Sequence, residues 1–380
     1  MRSTYPVAIF RRFGLRFVPF LLVFLFSPAH AETANTMYLR LQGALELYLQ
    51  IADEGGWPSV PQGPTIEPGN DDSRVALLAR RLLVTGDLDS WHEGNQRYDD
   101  ALRDAVLRFQ ARHGLETDAL VGRNTLSALN VPVEQRIAQL RLNMERSLQT
   151  FDAGLSDYLL VNVPAFEASL VRDGEIVITT RVIVGETEAE TPLFRAQMNR
   201  VVINPTWSVP YSIASKELLP KIQRDPGFLA RGGYDVFDRD GNLVDPAQVD
   251  WSSLYSNNFP FTLLQRPGNS NELGRIKFMF PNDFDVCMHD TPGKRLFAYD
   301  SRAFSHGCIR VDDPVGFAEH VLEPEGWSRD RIVTQLESSE TASVSLAEPV
   351  PVIVTYLTAV VDEEGIVHFY RDIYSRDSGP

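Results

Sequence analysis

One stretch of the chain, CMHDTPGKRLFAYDSRAFSHGCIRVDD from Cys287 to Asp313, holds both cysteines of the protein and two of its seven histidines. A thiol becomes a nucleophile on losing its proton, and a nearby imidazole is the usual acceptor. Two candidate bases are at hand, His289 and His306. In a strand alternate residues share a face, so His306 and Cys308 are expected to point the same way, with Gly307 letting another group approach the backbone closely. A Cys and a His brought side by side from separate strands supply the nucleophile and base of acyl transfer, and a backbone N–H at or beside Cys308 suits the oxyanion. Three other readings stay open at this point. One is a core Cys beside a satisfied core His. Another is a zinc site from His289, His306 and Cys308, whose spacing matches no common ligand pattern. The third is a structural Cys287–Cys308 disulfide.

The rest of the chain narrows the setting. With two Cys in 380 residues, neither a disulfide scaffold nor a four-Cys zinc site can be built. Thirty-six basic against 51 acidic residues give a net charge of -15, which argues against nucleic acid as a partner. The length predicts two or more domains, and 43% apolar with 23% charged residues is ordinary globular composition. At the N-terminus Arg2, Arg11, Arg12 and Arg16 precede an apolar run from Phe17 to Phe26 and then Ala29-His30-Ala31. That is the order of a secretory signal peptide, with cleavage expected after Ala31. The run is about half of the ~20 residues a membrane span needs. Removing residues 1–31 takes away four Arg and no acid, leaving an acidic, exported chain. Export sharpens the cysteine question, because oxidising compartments usually pair thiols.

Elements that would position these residues follow from periodicity. Residues 36–60 read as helix, with Leu41, Leu45 and Leu49 on one stripe and Gly55-Gly56 ending the pattern. A helical block covers 74–150. Its stripes are Leu102, Val106 and Phe109 before Gly114, then a short helix around 125–129, then Ile137, Leu140, Met144 and Leu148. From Tyr158 the period changes to two and β-branched residues take over, with Asp173-Gly174 at a hairpin turn. Residues 208–272 interrupt the strands with helix-like KELLPKI and a turn at Asp238, Asp240 and Asn242, which lacks the spacing and terminal Glu of a calcium loop. Strands are expected at RIKFMF, DFDVCMHD and CIRV, a helix from Asp313 to Leu322, and a closing hairpin turning at Glu363-Glu364-Gly365.

His289, a gap of fifteen and then Ser305-His306-Gly307-Cys308 closely resembles the signature of the L,D-transpeptidases. The likeness extends through NPTWSVP at Asn204 to Pro210, QRPGNSNELGRIKFMFPN at Gln265 to Asn282, and Asp290-Thr291-Pro292 after the His. It is similar to the large periplasmic branch whose catalytic domain carries a substrate-capping insertion. LRFQARHGLETDALVGRNTLSALNV at Leu107 to Val131 resembles a peptidoglycan-binding helical module. The resemblance implies an α+β protein with a mainly β catalytic domain. Its expected organisation is a signal peptide at 1–31, a helical scaffold segment at 32–73, the helical module at 74–132, a scaffold helix and linker at 133–157, the catalytic domain at 158–335 with a helical cap at 208–272, and a linker and hairpin at 336–380.

In function, the resemblance implies a periplasmic enzyme acting on peptidoglycan stem peptides, donor tetrapeptide and acceptor amine alike. Cys308 would attack the bond before the terminal D-alanine and His289 would activate it. Ser305, His306 and Gly307 would shape the oxyanion pocket. Arg310 fits a substrate carboxylate, against the alternative of an ion pair with Asp312 or Asp313, and Trp207 is expected either to wall the peptide groove or to be a core residue. It implies no cofactor and no metal, carbapenem-type inhibitors acting on Cys308, and other wall-synthesis enzymes as potential partners. Water or a protein amine as acceptor, or an inert wall-binding scaffold, are the competing functions. Two positions depart from the pattern: Arg310 stands where many relatives have Asn, and Cys287 where the capped branch has an aromatic residue. Cys287 and His289 share a strand face, so Cys287 is expected near Cys308 and able to form a silencing disulfide with it.

Overall fold

The computed structural model describes residues 34–92, 94–151 and 155–378; the expected signal segment lies outside the described residues. Helix α1 (Ala34–Asp53) stops short of the expected 60, because Gly55 and Gly56 take positive φ and turn the chain away. Helices α2 (Val75–Val84), α3 (Asp100–Arg112) and α4 (Arg123–Leu129) enclose their own core of Leu78, Leu82, Leu102, Val106, Phe109 and Leu126. The Asp99 side chain caps α3 by accepting from the Leu102 N–H. Helix α5 (Val133–Thr150) packs with α1 and with a hairpin of β14 (Ala359–Val361) and β15 (Val367–Phe369), around Leu41, Tyr48, Leu140 and Phe369.

The strands before the catalytic stretch are β1 (Tyr158–Asn162), β2 (Glu167–Arg172), β3 (Glu175–Gly185) and β4 (Phe194–Ile203). The β2–β3 hairpin turns at Asp173 and Gly174, both at positive φ, as Asp-Gly allows. Around that stretch lie β9 (Ile276–Met279), β10 (Met288–His289), β11 (Ala303–Ser305) and β12 (Ile309–Val311), and after it β13 (Ala342–Thr355). Among the described residues these nine form one sheet in the order β11-β3-β12-β10-β9-β4-β13-β1-β2, and β2 also pairs with β3, so the sheet returns on itself. Its interior buries Leu159, Val161, Val201, Phe278, Met288 and Ile309, each such side chain contributing about 1.5–3 kcal/mol. Helix α9 (Pro314–Leu322), capped by Asp313, covers this core through Phe317, whose ring meets Phe278 edge-on at 5.5 Å.

Two expectations are corrected. Residues 342–351, expected as linker, and 352–355, expected in the closing hairpin, together form the long strand β13, parallel to β1 and antiparallel to β4. The alternation there is hidden by Pro349 and Pro351 and by a register shift between Ser345 and Val350. The cap is not simply helical. It has short helices α6 (Tyr211–Ile213), α7 (Leu219–Arg224) and α8 (Phe228–Gly232), with a π turn at Ala214–Leu218 between the first two. It also has a four-stranded sheet of β5 (Trp207–Ser208), β8 (Thr262–Gln265), β6 (Tyr234–Phe237) and β7 (Leu243–Val244). Val236, Leu263, Leu219 and Phe259 give it a separate core. The Asp238 turn is a surface turn, its carboxylate accepting from the Asp240 and Asn242 backbones.

Candidate active site

Strands β10 and β12 run side by side and parallel, with Met288 opposite Ile309 and His289 opposite Arg310. One position earlier the Ile309 N–H donates to the Cys287 carbonyl at 2.9 Å, which carries the register back to Cys287 and Cys308. Their sulfurs are 3.6 Å apart and both are free thiols, so no structural disulfide is present. The His289 Nδ1 donates to the Asp290 carbonyl at 2.5 Å, leaving Nε2 for the sulfurs. The donor atoms of Cys287, His289 and Cys308 all lie within 4.8 Å of one another.

This packing sets the charge. A hydrogen bond from Cys287, then the hydrogen bond and charge of His289, hold the Cys308 thiol well below the ordinary thiol range despite burial, which opposes it. Cys287 is pushed the opposite way, by its contact with Cys308 and by its own burial, and keeps its proton. The two shifts run in opposite directions, favouring the proton on Cys287 and the negative charge on Cys308. A thiolate is the nucleophilic form of a cysteine side chain.

The turn carrying Cys308 is pinned from three sides. Ser305 Oγ donates to the Cys308 carbonyl at 2.5 Å and accepts from the Gly307 N–H at 3.1 Å. Thr191 Oγ1 donates to the Gly307 carbonyl and accepts from the Gly185 N–H, both at 2.8 Å. The Tyr374 hydroxyl donates to the Gly185 carbonyl at 2.5 Å and accepts from the Thr191 N–H at 3.2 Å. Gly307 adopts φ 106°, which L side chains avoid, and Gly185 has no room for a Cβ, which would meet the Ala189 carbonyl at 2.1 Å.

These contacts revise three expectations. Gly307 bends the chain between β11 and β12, so the strand alternation that would put His306 and Cys308 on one face is broken. His306 turns outward, 54% exposed, with Nε2 3.4 Å from Glu217 Oε1 on the cap. The zinc set of His289, His306 and Cys308 therefore does not assemble; the third donor is Cys287. The Gly307 N–H is occupied by Ser305, so glycine serves the turn by its conformation and not by that donor.

Both acids offered to Arg310 have other work: Asp312 pairs with Arg181 at 2.6 Å, and Asp313 caps α9. Arg310 Nε is buried without a partner on β12, two residues after Cys308. Trp207 is half-buried, packed against the edge of the cap's apolar cluster. Sequence reasoning missed Glu217, Thr191 and Tyr374. Only Glu217 left a signal, lying in the helix-like KELLPKI stretch already assigned to the cap.

Residues 156–352 match the family described as "L,D-transpeptidase catalytic domain", and residues 72–129 match that described as "Putative peptidoglycan binding domain". A relative from Haemophilus influenzae, described as "Putative L,D-transpeptidase", is 37% identical over 219 residues, which are 58% of this chain and 44% of that protein. The chain thus spans less than half the length of this relative. Among solved structures, an L,D-transpeptidase from Stackebrandtia nassauensis aligns at 13% identity over 78% of this chain and 96% of its own, with a TM-score of 0.29. One from Mycobacterium smegmatis aligns at 14% identity over 53% of this chain and 58% of its own, with a TM-score of 0.25.

Proposed function

The chain belongs to the L,D-transpeptidase family, and on that premise we propose that it forms 3-3 cross-links between peptidoglycan stem peptides through a thioester on Cys308. The observation that carries this reading is the placement of the Cys308 sulfur beside His289, whose Nδ1 is fixed on the Asp290 carbonyl so that the other ring nitrogen can hand a proton back and forth.

In the first half-reaction the Cys308 thiolate adds to the carbonyl between diaminopimelate and the terminal D-alanine of a donor tetrapeptide. The negative charge moves to the carbonyl oxygen. With the Gly307 N–H taken, the Cys308 N–H is the donor of the turn assigned to that oxyanion, and the fixed turn keeps it aimed without reorganisation. His289 Nε2, carrying the proton that Cys308 gave up on becoming the thiolate, passes it to the departing amine, the C–N bond breaks, D-alanine leaves and a thioester remains. In the second half-reaction the side-chain amine of an acceptor diaminopimelate attacks the thioester, gives its proton to His289 and expels the Cys308 thiolate. Arg310, with an unpaired buried Nε two residues after the nucleophile, receives a substrate carboxylate. Ser305 holds the turn, and His306 joins it to the cap through Glu217.

Around this chemistry we place export to the periplasm by residues 1–31, wall binding by the module that matches at 72–129, and acylation of Cys308 by carbapenem-type inhibitors. Incubating the protein with disaccharide tetrapeptide and reading products by mass spectrometry tests the reading. A cross-linked dimer with free D-alanine, lost in Cys308→Ala, supports it; a tripeptide alone makes water the acceptor, and full turnover by Cys308→Ala removes the nucleophile assignment. Cys308→Ala should still sediment with peptidoglycan sacculi, since binding and chemistry lie on different parts of the chain.

A further inference from the structure

The contact between Cys287 and Cys308 has a geometry that a nucleophile and base do not need. Two thiolates on one tetrahedral zinc-class ion, each with a bond of about 2.3 Å, stand about 3.8 Å apart. The observed separation is 3.6 Å. A disulfide would require the sulfurs to close to about 2.05 Å, so they stand far nearer to sharing an ion than to sharing a bond. His289 completes a third corner, with all three donor atoms within 4.8 Å, where a tetrahedral edge between sulfur and nitrogen is about 3.6 Å. An adjustment of about an ångström in the ring brings it into place. The His289 Nδ1–H bond to the Asp290 carbonyl fixes the tautomer with Nε2 free, which is the outer-sphere support that ligating histidines usually have. Cys308 is half-buried, and among the described residues no fourth protein donor joins these three, so water would fill the fourth corner.

We propose that Cys287, Cys308 and His289 form a binding site for a thiophilic divalent cation of the zinc class, and that its capture takes the nucleophile and its base out of service together. Two thiolates and one neutral imidazole with an open corner are a donor set that suits zinc and disfavours magnesium or calcium. On binding, the Cys287 proton and any proton on His289 Nε2 leave to water, and the cation replaces them between the sulfurs. No electron is transferred. The binding claim stands on this geometry alone, whereas its consequence for turnover rests on the reading of Cys308 as the nucleophile.

The test uses the whole protein, stripped with a chelator and kept reduced with a phosphine. Titration with Co²⁺ should give one-to-one uptake with a thiolate-to-metal charge-transfer band and tetrahedral visible bands. Zn²⁺ should displace Co²⁺ one for one, as read by elemental analysis. Cys287→Ser and Cys287→Ala should each weaken uptake by more than about a hundredfold, since even outer-sphere losses cost 10–100-fold. Uptake by the wild type no tighter than by these variants, or Co²⁺ binding without the charge-transfer band, overturns the site. Thermal melts of the metal-free variants report whether they are folded, and using two replacements guards against one that is not. D-alanine release by metal-free enzyme separates the two readings. Protein that binds zinc as described yet releases no D-alanine overturns the proposed reaction and leaves the metal site standing; the reverse result overturns the metal site alone.

Discussion

Replacing Cys287 with alanine tests the electrostatics of the thiolate directly. The sulfur of Cys308 accepts from Cys287 at 3.6 Å, and that contact is the first cause of its lowered proton affinity. Hydrogen bonds to charged groups contribute about 1.5–3 kcal/mol, and a thiol is a weak donor, so the lower end applies. At 1.36 kcal/mol per pH unit, about 1.5 kcal/mol corresponds to roughly one unit. The sign follows from which form loses its partner: only the Cys308 thiolate is stabilised by the Cys287 S–H, so Cys287→Ala raises the Cys308 pKa. The reactive form then appears at higher pH. The assay is the rate of alkylation of metal-free protein by iodoacetamide against pH, with the adduct located by peptide mass spectrometry. The midpoint should move up by about one unit in Cys287→Ala and stay near the wild-type value in Cys287→Ser, whose hydroxyl still donates. Coincident curves for wild type and Cys287→Ala would falsify the assignment of the shared proton, and leave His289 and the backbone N–H of residue 287 as the supports of the thiolate.

Four further outcomes are expected. Arg112 and Asp87 form a buried pair at 2.6 Å beneath two more buried arginines, Arg81 and Arg136, so Asp87→Ala should cost about 3–5 kcal/mol in urea unfolding; a loss below 1 kcal/mol would mean the charges are relieved elsewhere. Arg310→Gln should raise KM for the tetrapeptide by roughly 10–150-fold, one charged hydrogen bond's worth, with kcat little changed; an unaltered KM removes the carboxylate site. Tyr374→Phe takes away the donor to Gly185 and the acceptor of Thr191, and should lower stability by about 1–3 kcal/mol and D-alanine release with it. Turnover unchanged in the folded variant would separate that tyrosine from the active turn. Oxidised glutathione should close Cys287–Cys308, with Cys308 attacking the glutathione disulfide and Cys287 displacing the second glutathione; two thiols should vanish and return with reductant, and a lasting glutathione adduct on Cys308 argues against it.

Legibility from sequence followed the range of the signal. The Cys308–His289 pairing was readable because both lie within one short stretch of distinctive residue types, and Cys287 was placed near Cys308 by a two-residue offset on one strand. The expected shared face of His306 and Cys308 failed at a single backbone angle, Gly307 at φ 106°, which residue type permits but does not announce. Thr191 and Tyr374 were out of reach for another reason. Each acts by one hydroxyl on a backbone group far along the chain, and such contacts leave no period in the sequence. The 342–351 part of β13 was hidden by its prolines, although the strand's place between β1 and β4 makes it central to the sheet that carries the site.

That late strand has a consequence for timing. Leu159 pairs with Val352, and Thr191, which holds the Gly307 carbonyl, is itself held by Tyr374, so the sheet closes only with residues that emerge after Cys308. Such distant pairings are slow to form, since the chain must be gathered before any contact repays it. A partly synthesised chain would already carry Cys308 but not the assembled surroundings that set its charge. If the proposed acyl transfer holds, competence for it would belong to the finished molecule, and the order of synthesis would keep a reactive sulfur from being set loose too early.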